Sequence, residues 1–291
     1  MCGFAGLYNE SRPNGLEQTK NLLKAMGDAI AHRGPDDEGV WYDAADNIGF
    51  SHRRLSVIDL SPAGHQPMES RCRRYVIVYN GEIYNHLHIR VLLKEERRDV
   101  AWRGHSDTET LLTAIEVWGL EHTLKIIQGM FAFAIWDKQQ KALYLARDRV
   151  GEKPLYYGWQ DDTFLFGSEL KALKAHPDFK SKIDRGALTL FLRHNYVPGP
   201  YSIYKGIKKL PAGTFLKIET GNEAGIQKGQ EKPEPYWDFA QVAKSGLESP
   251  FAGGESEALK VLEEKLGSAV AGQMLSDVPL GALLSGGVDS S

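Results

Sequence analysis

The chain opens Met1-Cys2-Gly3-Phe4-Ala5-Gly6-Leu7-Tyr8, an apolar run that sets a thiol beside the start residue. The run reads as a strand, and Gly3 and Gly6 mark places where another group approaches its backbone closely. Removal of Met1 would put an α-amine and a thiol on one residue, a nucleophile with its own base. An α-amine titrates near ~7.7–8.0 and can accept the thiol proton at neutral pH, giving the thiolate that attacks. On position alone a core cysteine at the start of a strand is the preferred reading. What lies further along the chain has to supply the rest of a site.

Leu16 to Ile30 places Leu22, Leu23, Met26 and Ile30 at helical spacing, and Gly34-Pro35 follows the end of that helix. Ile48 to Leu60 reads as strand up to Pro62-Ala63-Gly64. Tyr75 to Tyr79 reads as a buried strand that stops at Asn80-Gly81, the strongest turn signal in the chain. Helices are expected from Ile83 and from Ser106-Asp107-Thr108-Glu109, where Ser106 is the N-cap and Glu109 reaches back in a capping box. Strands follow at Met130 to Trp136, Ala142 to Ala146, Leu155 to Trp159 and Phe164 to Phe166, then shorter helices with Asp184 as an N-cap. Strands with helices at their edges suggest an α+β layered domain.

From about Glu219 to Glu255 the composition shifts to Gly, Lys, Glu, Gln and Pro, which reads as connecting structure. Leu259, Leu262, Leu266, Val270 and Met274 then set an amphipathic helix. An apolar strand, Leu280 to Leu284, runs into Ser285-Gly286-Gly287-Val288-Asp289-Ser290-Ser291. Helix, strand and Gly-rich loop are how a nucleotide-binding α/β sheet begins.

The 291 residues suggest about two domains. A net charge of −3 gives no reason to expect nucleic acid or an anionic membrane. The longest apolar stretch, Met130 to Trp136, is far too short for a membrane span, and the N-terminus does not read as a signal peptide, so a cytoplasmic location is expected. Cys2 and Cys72 are the two cysteines, too few for a disulfide framework, and no His or Cys pair has zinc-ligand spacing.

Four features could carry chemistry. An Asn80 amide and a Gly81 N–H can form a two-donor oxyanion hole, although an ordinary hairpin turn is the simpler reading of the dipeptide. Arg54, in His52-Arg53-Arg54-Leu55, can bind a carboxylate through two parallel hydrogen bonds, or can be a solvated charge. Asp107, in the first turn of its helix, complements the dipole or holds a substrate ammonium. Ser285 to Ser291 can wrap a pyrophosphate with backbone N–H groups, with Asp289 as a Mg²⁺ ligand; it lacks the ending of a Walker A loop. His32-Arg33-Gly34-Pro35-Asp36 reads as a loop packed beside the N-terminus in a supporting role.

Taken in order, these motifs, with Arg54-Leu55-Ser56-Val57-Ile58-Asp59, Asn80-Gly81-Glu82-Ile83-Tyr84-Asn85 and Gly129-Met130-Phe131-Ala132-Phe133-Ala134, resemble the glutamine-dependent asparagine synthetase family along the whole chain. The resemblance implies a four-layer αββα N-terminal-nucleophile (Ntn) hydrolase sandwich at 2–218 and a connecting segment at 219–254. At 255–291 it implies the first helix and strand of an α/β ATP-pyrophosphatase domain. It implies that Cys2 attacks the glutamine side-chain amide, with Asn80 and Gly81 as the oxyanion hole. Arg54 would bind the α-carboxylate, Glu82 and Asp107 the α-amino end, and Leu55 and Val57 would line the pocket. Leu284, Ser285, Gly286, Gly287, Asp289 and Ser290 would bind ATP. Ammonia would then amidate an aspartyl adenylate, with glutamine, aspartate, ATP and Mg²⁺ as the small-molecule partners and no cofactor for the glutaminase step. A homodimer is compatible with it. Because the sequence stops inside the pyrophosphate loop, the chain is expected to be part of a longer polypeptide and by itself at most a glutaminase. Relatives that amidate sugars, polysaccharide precursors or peptides give an alternative acceptor, and a non-catalytic module is the other alternative.

Overall fold

Runs such as 3–8, 131–136 and 164–166 are apolar and buried at successive positions, so both faces of each strand must be covered, and two sheets packed between helices cover both. The computed structural model describes residues 2–10, 15–96, 100–220, 228–229, 231–282 and 284–288. Among these residues the chain forms β1 (Gly3–Asn9), α1 (Leu16–Asp28), β2 (Asp37–Asp43), β3 (Ile48–Arg54), β4 (Met68–Glu69) and β5 (Tyr75–Ile83). Next come α2 (His86–Glu96), α3 (Asp107–Trp118), α4 (Leu120–Ile126), β6 (Gly129–Asp137), β7 (Ala142–Arg147), β8 (Tyr156–Gln160) and β9 (Thr163–Gly167). Then follow α5 (Leu170–Lys174), α6 (Arg185–His194), β10 (Lys208–Lys209), β11 (Thr214–Glu219), β12 (Glu234–Pro235), α7 (Phe239–Glu248) and α8 (Glu255–Gln273).

Two six-stranded sheets result, in the orders β10-β8-β9-β1-β3-β2 and β12-β11-β7-β6-β5-β4. The pairings are antiparallel. Between the sheets lie Phe4, Ile48, Phe50, Phe164 and Phe166 from the first and Val76, Val78, Trp136, Leu143 and Leu145 from the second. Each such side chain stabilises the fold by about 1.5–3 kcal/mol on burial. The outer face of the first sheet packs Ala5, Leu7 and Leu165 against Leu23 and Met26 of α1 and Leu173 of α5. The outer face of the second packs Ile77, Tyr79 and Phe133 against Ile89 of α2 and Leu111 and Ile115 of α3. This is the four-layer αββα sandwich.

The structure departs from the sequence reading at four points. β5 does not stop at Asn80-Gly81: it continues to Ile83, with Asn80 opposite Ala132 and Gly81 opposite Phe131. The glycine serves close approach, since a methyl there would collide with the Met130 carbonyl and the Phe131 backbone. β3 ends at Arg54 rather than near Leu60, because its partners run out there: Arg53 lies opposite Gly3, the first residue of β1, and Arg54 opposite Asp37, the first of β2. Ser106 does cap α3, accepting the Glu109 N–H at 3.2 Å. Glu109, however, turns its carboxylate to the N–H groups of Arg103 and Gly104 rather than back to Ser106. Finally, no strand forms at the described residues of Leu280 to Leu284, because none of the described residues pairs with them. The stretch read as connecting structure holds β12, added to the second sheet, and α7. Among the described residues no helix is long and apolar enough to cross a membrane.

Candidate active site

Strand alternation brings three expected residues together. On β1, Phe4 and Tyr8 face the inter-sheet core while Ala5 and Leu7 face the helices, so Cys2, in phase with Phe4, points between the sheets. On β3, Ile48 and Phe50 set the same phase for His52 and Arg54; on β5, Val76 and Val78 set it for Asn80. The apolar layer therefore ends in a polar cluster. Arg54, Leu55, Val57, Asn80, Gly81, Glu82 and Asp107 line one cavity of about 180 Å³ with Cys2. That volume is small beside the several hundred Å³ of a drug-sized site and suits an amino acid better than a nucleotide.

The Leu55 N–H donates to Cys2 Sγ at 3.3 Å, and the thiol lies 3.5 Å from the Leu55 carbonyl. Burial pushes the Cys2 thiol up from its ordinary range, and the hydrogen bond to Leu55 opposes this. At neutral pH the resting group is a thiol and needs a base before it attacks. Arg33 donates from Nε to the Cys2 carbonyl at 2.9 Å and pairs with Glu169 at 2.9 Å, the supporting contact expected of the 32–36 loop.

Two donors face the sulfur's cavity. Asn80 is 1% exposed, and its Nδ2 has no partner among the described residues. A buried amide left without an acceptor costs about 1–3 kcal/mol, and a donor in this position can serve an oxygen that arrives with a ligand. The second is Gly81. Opposite it, Phe131 directs both its N–H and its C=O to Asp148, at 3.2 and 2.8 Å. Phe131 and Gly81 therefore form a non-hydrogen-bonded pair, and the Gly81 N–H points away from β6. On that same edge the Tyr79 N–H is met by Gln66 Oε1 at 2.7 Å and the Ile83 N–H by Asp107 Oδ2 at 2.9 Å. Gly81 lies between them, at the cavity.

Arg54, Glu82, Asp107 and Lys153 bring charge to the lining. Arg54 donates to the carbonyls of Asp59 and Ser61, which leaves other N–H groups of its fork for a carboxylate. Asp107 Oδ2 also accepts from the Tyr79 hydroxyl at 2.8 Å; burial raises its carboxyl, and the Ile83 N–H and Tyr79 hydroxyl oppose that. Burial, then Asp107, raises the Glu82 carboxyl, while Lys153 lowers it. Sequence reasoning missed Lys153, Gln66 and Tyr79. Lys153 reaches the cavity because the Asp148 carboxylate gathers the N–H groups of Val150, Gly151, Glu152 and Lys153 at 2.6–3.2 Å. Nothing in Asp148-Arg149-Val150-Gly151 beyond a turn pattern signals that cradle.

The expected ATP segment is different. Leu284, Ser285, Gly286 and Gly287 are exposed, and Asp289 and Ser290, like Met1, lie outside the described residues. Among the described residues no group of His, Cys, Asp and Glu could hold a metal ion.

Residues 1–237 match the glutamine amidotransferase domain family. The chain belongs to that family. The amidotransferase also matches the asparagine synthase family over residues 261–291. It is 36% identical to asparagine synthetase (glutamine-hydrolyzing) 1 of Bacillus subtilis (strain 168), over 100% of this chain and 43% of the relative. It is also 36% identical to a putative asparagine synthetase (glutamine-hydrolyzing) 2 of Methanocaldococcus jannaschii, over 100% of this chain and 56% of the relative. The chain thus spans about half the length of the curated relatives it matches. Among solved structures, a glutamine phosphoribosylpyrophosphate amidotransferase from B. subtilis, complexed with ADP and GMP, superposes with a TM-score of 0.57. It is 17% identical, over 81% of this chain and 49% of that chain, a likeness of fold alone. The fold is that of the Ntn amidotransferases.

Proposed function

We propose that this amidotransferase is the glutamine-hydrolysing part of a glutamine-dependent asparagine synthetase. The observation that carries the reading is the unpartnered Asn80 amide in the same cavity of amino-acid size as a half-buried Cys2 thiol. After loss of Met1 the Cys2 amine takes the thiol proton, and Sγ attacks the side-chain carbonyl of glutamine. Asn80 Nδ2–H and Gly81 N–H donate to the oxyanion. The amine returns the proton to the departing nitrogen, ammonia leaves, and a γ-glutamyl thioester remains. Water then adds to the thioester carbon, Sγ departs and is reprotonated, and glutamate is released. Arg54 holds the α-carboxylate, Glu82 and Asp107 the α-ammonium, and Leu55 and Val57 the chain between.

The glutaminase domain would be 2–218, the connecting segment 219–254, and the start of the synthase domain 255–291. ATP, Mg²⁺ and aspartate belong to the synthase part, in the cytoplasm. The names of the relatives support this assignment. The longer polypeptide, given ATP, glutamine and aspartate, is expected to form asparagine. Ammonia and glutamate without asparagine would point to another acceptor, such as a sugar.

A further inference from the structure

The loop between β3 and the short helical turn Pro62–Gly64 carries much of the cavity, and it is held from outside the amidotransferase domain. Asp277 lies in the stretch matched to asparagine synthase. Its N–H donates to the Val57 carbonyl at 2.9 Å, and its Oδ2 accepts the Asp59 N–H at 2.7 Å. His105 Nε2 meets the same Oδ2 at 2.7 Å, while the His105 N–H donates to Asp59 Oδ2 at 2.8 Å. Asp59 is wholly buried, yet takes a left-handed φ of 59°. Such a conformation is sparsely populated by residues other than glycine and persists where its surroundings fix it.

What this turn holds is the glutamine site. Arg54 donates to the carbonyls of Asp59 and Ser61. Leu55 binds the Cys2 sulfur, and Val57 and Ile58 line the cavity. Asp277 therefore grips, at two backbone atoms, the loop that orients the carboxylate-binding guanidinium.

We propose that Asp277 is a positioning residue for glutamine binding, supplied to the amidotransferase site by the synthase segment through Val57, Asp59 and Arg54. This deepens the glutaminase reading and rests on it. It also gives the synthase segment a direct hold on the glutamine pocket, only eight residues before the Ser285 loop.

The test uses the 1–291 chain with Asp277→Ala and Asp277→Asn. Asp277→Ala removes the acceptor for Asp59. It is expected to raise the KM for glutamine about ten-fold, the scale of one lost hydrogen bond to a charged group, with kcat little changed. Asp277→Asn keeps an oxygen for the Asp59 N–H and is expected to restore most of the affinity. Amide exchange within 55–61 is expected to speed up in Asp277→Ala while β5 and β6 stay protected and Tm holds. An unchanged KM and unchanged exchange in Asp277→Ala would overturn the proposal. So would a parallel fall in kcat and Tm, which marks a merely structural role. Absence of glutamate release from the unsubstituted chain would instead strike the glutaminase reading, while exchange still tests the clamp.

Discussion

At the residue scale, Asn80 separates a structural from a chemical role most sharply. It sits in a paired strand, so the turn that its dipeptide suggests does not exist, and its amide is free to serve a ligand. Asn80→Ala is expected to lower kcat for glutamine hydrolysis about 10²–10³-fold, the usual loss for one oxyanion donor, with a smaller effect on KM. Steady-state kinetics check this; a loss confined to KM would assign Asn80 to ground-state binding. The residues around Cys2 were legible only together: singly, a core cysteine, a hairpin turn and a solvated arginine were the simpler readings, and the ordered series of motifs named them as a site. Lys153 was not, since a lysine's place depends on a backbone cradle built by Asp148, and that cradle has no sequence spacing of its own.

At the scale of elements, the strand phases of β1, β3 and β5 place the site, and His52 ties two of them. From β3 its Nε2–H donates to the Tyr79 carbonyl on β5 at 3.0 Å, while burial holds its pKa down at about 4. The folded value lies below the ordinary ~6.5 of an unfolded histidine. The neutral imidazole therefore contributes stability that is complete above about pH 6.5 and is lost as the pH falls through about 4. The contribution is about 3 kcal/mol by linkage. His52→Gln keeps a donor for Tyr79 and does not titrate, so its unfolding free energy is expected to fall less steeply between pH 6.5 and 4 than that of the unsubstituted chain. Urea titrations across that range check this, and equal slopes would show that His52 does not set the acid limit. Most strands and helices were legible from their periodicity. The exceptions have structural causes: β5 outran its turn signal because Gly81 serves close packing, and β3 fell short because β1 and β2 offer it no partner beyond Arg54.

At the scale of the whole molecule, the four layers follow from the two buried faces of each sheet, and the cavity lies where the inter-sheet apolar layer gives way to Cys2, Arg54 and Asn80. The segment beyond α8 was legible as a motif but not as a structure, because a strand at 280–284 needs partners that the described residues do not supply. The link through Asp277 was invisible to any local pattern, since it joins positions 218 residues apart. The central claim is that the Cys2 sulfur performs the chemistry in this cavity. The most direct measurement is glutamate release from glutamine by the purified chain and by Cys2→Ala. Release by the first and none by the second, with both equally folded, is the expected result; release at an unchanged rate by Cys2→Ala would contradict it.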